Sequence, residues 1–518
     1  MRSVRMRVLA MLLVLAGIAV GGWQLLPDGE DTDRTMVVGT TDAVTSLDPA
    51  GAYDAGSWAL FSNVFQTLLT FESGGATPVP DAAKSCGFVN GGLRTYRCTL
   101  RDDLTFPSGR KMTAEDVKYS FDRVRKIHDD QGPDSLLDTL GSVDAAGLTV
   151  TFHLVSADAT FPFKVATGVG SIVDSSLYAK DALRSGSDAD GSGPYLLKTY
   201  TKDKGADLAP NPHYHGAIQQ TGKPIEMRYY TSAEALAAAW KAKQVDVATR
   251  QLPPSVLSGL SPSDTKQRVT VSESAETRNL FLNVRPDSAL RDRRVRQALA
   301  LLVNREQLSD ETYKGTVDPL YGLIPAGITG HTTAFFDAYP KPDAKKARKL
   351  LTEAGVSLPV HFTYGYGAGR GAGAAEAAEL KRQLEADGLF KVETKGLEWA
   401  DFQKAYADGK LDAYAVGWVA DFPDPDNFSA ALVGTGNAMK NGYSDKSVDR
   451  LIQDSQQYGD RSRTTADFRQ VQEAVARDVP LIPLWQGKEY VLSSEDVGGG
   501  QYLSDGTGVF RLWRLGWI

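Results

Sequence analysis

Residues 417–428 read GWVADFPDPDNF, a short apolar run that stops at three acids and two prolines. Just upstream and within it, Tyr414, Val416, Trp418 and Val419 give the run the character of a strand. Pro423 and Pro425 lack a backbone N–H and fix φ, so the segment is expected to be a strand running into a rigid loop, with no helix. Asp421 then stands at the strand end, directly after Trp418, Val419 and Ala420, where an apolar wall meets the loop. A carboxylate placed there suits a cationic group on a ligand. Asp424 and Asp426, each beside a proline, are expected to make turn hydrogen bonds. The three acids lack the D-x-D-x-D-G spacing and closing glutamate of a calcium loop, so no metal is assigned to them.

Around this stretch lie 518 residues, more than one core accommodates, and roughly two to four units are expected. Hydrophobic residues at 42% and charged residues at 23% describe an ordinary globular protein. The amino terminus departs from that. MRSVRMR sets three arginines ahead of residues 8–26, VLAMLLVLAGIAVGGWQLL, and no acid precedes Asp28. This order marks export. The run also approaches the roughly 20 residues that span a bilayer, making 8–26 a candidate membrane anchor. Its arginine side would stay cytoplasmic and everything from about Asp28 onward would be extracytoplasmic. Loss of three arginines with residues 1–26 would take the formal charge from −7 to −10, an acidic balance that argues against nucleic acid. Cys86 and Cys98 flank the turn signal VNGG, which lets them face each other across a hairpin. In an oxidising compartment they read as one disulfide, the alternative being two separate buried thiols.

Beyond a polar linker, strand-like and helix-like segments alternate and are mixed with hairpins, which indicates an α/β fold. Trp58, Leu60, Phe61, Val64, Phe65 and Leu68 recur with helical period. Thr113 with Asp116 is a capping-box-like helix start, and VPLIPLW near the carboxyl end is placed to rejoin an earlier sheet. The run 291–296, RDRRVR, alternates basic with apolar positions and is read as a solvated helix face.

Several motifs point elsewhere and fail on inspection. Gly367, Gly369 and Ala372 fit G-x-G-x-x-A after a strand, with Glu393 about twenty residues on. The unit starts deep inside the chain and stands alone, so the glycines are read as letting a loop bend around a cleft, where Tyr364, Tyr366 and Arg370 could touch a ligand. GAIQQTGKP has five residues between Gly216 and Gly222 and Pro224 in place of a magnesium-binding hydroxyl, so no nucleotide site is assigned. Neither G-x-S-x-G nor H-E-x-x-H occurs, and His213 and His215 have no nearby cysteine or carboxylate to complete a metal set. No cofactor is expected.

The ordered phrases SLDP (residues 46–49), NVFQTLLTFE, TYRCTLRDDLTFPSG, TAEDV, GSGPY, NPHYHG, LFLNV, RRVRQALALLVNREQL, ARKLLTEAG, GWVADFPDPDNF, GYSDKSVDRLI and VPLIPLW resemble one family. It comprises the solute-binding proteins of ABC importers for oligopeptides, dipeptides and nickel, extracellular family 5. The resemblance implies a two-lobed periplasmic-binding-protein clamshell of the large class II type with an accessory domain. Residues 1–35 would be signal or anchor and linker; 36–57, 170–272 and 485–518 lobe I; 58–169 the accessory domain; and 273–484 lobe II. It also implies a monomeric receptor, not an enzyme, that hands peptides to the permease subunits of an importer. Asp421 would hold the peptide α-ammonium. The backbone of Trp418, Val419 and Ala420 would pair with the peptide as an added strand, joined from the other lobe by Tyr53, Asp54 and Ala55. The chain departs from most members in single-membrane cells by having no lipid-anchoring cysteine. An exported hydrolase, or the same fold holding an oligosaccharide or metal chelate, stands as the alternative.

Overall fold

The computed structural model describes residues 34–518 apart from 73, 262, 370 and 505–509. The expectations for residues 8–26, for nearly all of 1–35 and for Arg370 therefore lie outside the described residues. Among the described residues, no helix is long and apolar enough to cross a membrane.

Two long antiparallel strands, Gln267–Leu282 and Leu481–Ser494, organise the molecule. One end of the pair borders Val247–Thr249, followed outward by Met36–Thr40, Ile225–Tyr229, Gly205–Pro210 and Tyr195–Thr201. The other end borders Ala413–Trp418, followed by Val360–Gly367 and Phe390–Leu397. The returning strand foreseen in VPLIPLW is thus the one that ties the halves together. Midway the ladder breaks: Glu273 faces Lys488 and Thr277 faces Gln486, so residues 274–276 stand opposite Gly487 alone. Such a bulge bends a strand pair and raises its local twist, and its place on the long pair that joins the halves makes it the candidate pivot.

Each half has its own core. Residues from Leu280 to Trp485 bury one set of apolar side chains, while the residues before and after pack into separate clusters. Phe422 is the exception, leaving its own half to pack with the other core 5.7 Å from the ring of Phe163. A separate four-stranded antiparallel sheet runs Ala83–Phe88, Thr95–Leu100, Thr149–Leu154, Leu140–Ala146 and carries helix Ala114–Ile127. Asp116 accepts the N–H of Thr113 at 2.9 Å, the reciprocal half of the expected capping box. Cys86 and Cys98 are cross-strand partners and form a disulfide, with Cα atoms 4.1 Å apart. Helix Ala55–Val64 runs through the boundary expected at 57/58, and its buried residues share a core with the four-stranded sheet.

Two expectations are corrected. Pro425 does not prevent a helix; it is the N-cap of helix Asp426–Val433, because the amides of a first turn have no intrahelical acceptor to lose. The basic run is not solely a solvated face. Arg296 is buried and its guanidinium donates to the carbonyls of Leu290, Arg291, Asp478 and Val479, tying the start of helix Arg293–Ala300 to the end of helix Thr465–Asp478. Four carbonyl acceptors replace the water that the charge gives up.

Candidate functional site

The strand Ala413–Trp418 pairs with Gln267–Leu282 in the register Thr277–Trp418 and Arg278–Gly417. Opposed residues share a face, so Trp418 and Thr277 point one way and Gly417 and Arg278 the other. On the far side Val360–Gly367 pairs with only Ala413 and Tyr414, leaving the last part of the strand without a ladder partner on that edge. Asp421 follows three residues later.

Asp421 is 6% exposed. Its Oδ2 accepts from the Tyr53 hydroxyl at 2.6 Å and from Asn427 Nδ2 at 2.7 Å. Asn427 Oδ1 accepts in turn from the backbone N–H of Asp421 at 2.9 Å and from Trp418 Nε1 at 3.1 Å. Asn427 therefore clamps the strand end against the first turn of helix Asp426–Val433. Oδ1 of Asp421 accepts no hydrogen bond among the described residues, and no described cation lies within ion-pairing distance of it. Burial pushes this carboxyl up to about 6, while the hydrogen bonds from Tyr53 and Asn427 pull the other way. The arrangement holds one oxygen in place and leaves the other for a cation. Tyr53 approaches from the opposite half, stacked on Trp58 at 5.2 Å and edge-on to Trp418 at 6.2 Å. Burial, then the Asp421 charge, holds its hydroxyl well above the usual phenol range, so it stays a donor.

The other expected residues divide. Val419 is half-buried and Ala420 buried in the backbone leading to Asp421. Asp54 does not offer its side chain to a ligand: it is the N-cap of helix Ala55–Val64 and accepts from the N–H and hydroxyl of Ser57 and the hydroxyl of Thr45. Ala55 begins that helix, so the extended backbone ends at Asp54. Tyr364 is corrected outright. It is 1% exposed, inside the core, with its hydroxyl toward Glu376, because helix Gly373–Glu385 covers that face of the strand. Tyr366 is half-buried, with its ring over Gly396 of the next strand. The glycine loop does lean toward the opposite half, since a Cβ at Gly369 would lie 3.5 Å from the carbonyl oxygen of Thr231. The sequence reading missed Asn427, which stood in the quoted stretch, and a group of charged residues at the pivot: Asp42, Arg250, Glu276 and Glu489. Among the described residues, no cluster of three or more histidine, cysteine or carboxylate side chains could hold a metal.

The profile of the bacterial extracellular solute-binding proteins, family 5 (middle) matches residues 77–440. This chain belongs to that family. Among curated relatives, the family 5 protein is 27% identical to di/tripeptide-binding protein 1 of Pseudomonas aeruginosa, covering 83% of this chain and 85% of that one. It is 26% identical to a probable D,D-dipeptide-binding periplasmic protein of Escherichia coli, covering 90% of each chain. A solved structure of a periplasmic binding protein from Helicobacter pylori in complex with the peptide STSA superposes with a TM-score of 0.83 at 22% identity, covering 94% of this chain and 98% of that one. The fold is the two-lobed α/β clamshell of large class II periplasmic binding proteins, as the sequence implied.

Proposed function

We propose that this family 5 protein is the extracytoplasmic receptor of an ABC importer, binding short peptides between its halves and presenting them to the permease. The observation that carries the reading is Asp421: a buried carboxylate with one oxygen anchored and the other uncommitted, set beside a strand end that is paired on one edge and without a ladder partner on the other. A peptide ammonium would pair with Oδ1, and the peptide main chain would pair with residues 418–420 as an added strand. Main-chain pairing supplies affinity without reading sequence, and water in the side-chain pockets tolerates variety. Contacts to Tyr53 on one side and Asp421 on the other would favour the shut arrangement, which is how ligand energy moves a hinge equilibrium. The curated relatives named above carry di-, tri- or D,D-dipeptide in their descriptions, which agrees with this ligand class.

The test is mass spectrometry of ligands that co-purify with the protein, followed by titration with a tripeptide and its N-acetylated form. The expected result is a mixture of short peptides with free amino termini, and weakening by acetylation of tenfold or more. A single non-peptide mass, or indifference to acetylation, removes Asp421 from this role.

A further inference from the structure

The pivot carries a second carboxylate. Glu276 closes the three-residue bulge, its N–H donating to Ser274 Oγ at 3.0 Å. It is half-buried, and among the described residues its carboxylate accepts no hydrogen bond and has no cation within ion-pairing distance. Two glycines make room for it. A Cβ on Gly417 would stand 3.1 Å from Glu276 Oε1, and a Cβ on Gly487 would stand 3.4 Å from Glu276 Cβ and 3.5 Å from Oε2. Gly417 begins the Trp418–Asp421 run, so this carboxylate lies at the foot of the backbone that would pair with the peptide.

The surrounding charges are committed elsewhere or repel. Arg278 donates twice to Glu376, at 3.0 and 2.9 Å. Arg250 sits between Asp42 and Glu489, at 3.5 Å from each. Burial pushes the Glu276 carboxyl up to about 7; Glu489 and Asp42 add to this, while Arg250 and Arg278 oppose it. A cation entering here would restore the ionised form, whereas a ligand carboxylate would add to the repulsion from Glu276, Glu489 and Asp42. From Asp421 back to Gly417 is four residues, roughly 13 Å of extended chain. A peptide whose ammonium rests on Asp421 covers that interval with two or three residues and a long side chain. Because alternate residues of a strand face opposite ways, only side chains turned toward the Gly417 and Arg278 face would meet Glu276.

We propose that Glu276 is a specificity-determining residue that takes the cationic side chain of a lysine, ornithine or arginine at the second or third position of the bound peptide, so that peptides basic at that position are preferred among those bound. The proposal rests on the Asp421 reading, and one titration series separates the two. Ala-Lys-Ala, Ala-Ala-Lys and their norleucine and glutamate counterparts, each free and N-acetylated, are titrated into the wild-type protein and the Glu276→Gln and Glu276→Asp variants. The expected result is a lysine-over-norleucine preference of tenfold or more at one of the two positions. That preference grows between pH 6 and pH 8 as Glu276 ionises, collapses toward unity in Glu276→Gln and is partly kept in Glu276→Asp. A wild-type protein that binds lysine and norleucine peptides equally, or a preference that survives Glu276→Gln, overturns the proposal. If acetylation still weakens every peptide in that case, the Asp421 reading stands without it. If acetylation has no effect or no peptide binds, both fall.

Discussion

The hydroxyl of Tyr53 donates to Oδ2 of Asp421 at 2.6 Å, joining the segment just before helix Ala55–Val64 to the strand end on the opposite half. Tyr53→Phe removes a hydrogen bond to a carboxylate, a type worth about 1.5–3 kcal/mol. Peptide affinity is expected to fall about tenfold or more by calorimetry, with the loss in the dissociation rate. Since this bond pulls the Asp421 carboxyl down, the variant should also shift the pH midpoint of binding upward. An unchanged midpoint would mean that the two side chains are not coupled in solution.

Binding should weaken with acid. With its carboxyl at about 6, Asp421 is mostly ionised at pH 7 and mostly protonated at pH 5, so a peptide with neutral side chains should bind about tenfold more weakly at pH 5 than at pH 7. Asp421→Asn should flatten that profile and cost about 2–5 kcal/mol of binding.

The same residue opposes stability. A carboxyl raised above its unfolded value binds more protons in the native state, so its contribution is favourable below about pH 4 and is lost as pH rises through about 6. Asp421→Asn should therefore stabilise ligand-free protein at pH 8 by on the order of 1–3 kcal/mol, seen as a raised melting temperature, and change it little at pH 4. Equal melting curves at pH 8 would show that the carboxylate carries no burial penalty.

Lys164 is buried and bonds Asp158 Oδ2 at 2.9 Å, close enough to the carboxylate of Asp426 in the other half to lower it. Asp426 is still pushed up to about 7, chiefly by burial. Lys164→Met leaves uncompensated buried acid and should cost about 3–5 kcal/mol in denaturant unfolding at pH 8. The deficit should shrink at pH 5, where Asp426 is protonated.

Reduction of Cys86–Cys98 should lower stability by about 2–3 kcal/mol, because the bond closes a short loop in the unfolded chain. Thermal melts with and without reductant measure it.

What the chain disclosed in advance follows from distance along it. Asp421 was visible because an apolar strand and its terminal acid are neighbours, and the cysteines because their turn lies between them. Asn427 was on the same page yet unread, since its role depends on a helix starting at Asp426 that the prolines had argued against. Tyr364 was misassigned because alternation tells that a strand has two faces but not that a helix covers one of them. Glu276 was out of reach for a different reason: its surroundings come from Gly417 and Gly487, each more than a hundred residues away, and only the register of three strands brings them to it. Arg296 was hidden in the same way by the carbonyls of Asp478 and Val479.

The break in the ladder opposite Gly487 has a mechanical consequence. In a sheet that bends at a notch, displacement grows with the lever arm, so groups beside the notch hold nearly still while groups at the rim sweep through the full arc. Glu276 stands in the notch itself, whereas Tyr53 and Asp421 meet outside it, from opposite halves. If Glu276 and Asp421 bind as proposed, a ligand's side chain would be sampled while the jaws stand apart and its terminus gripped when they meet, so that reading would come before holding.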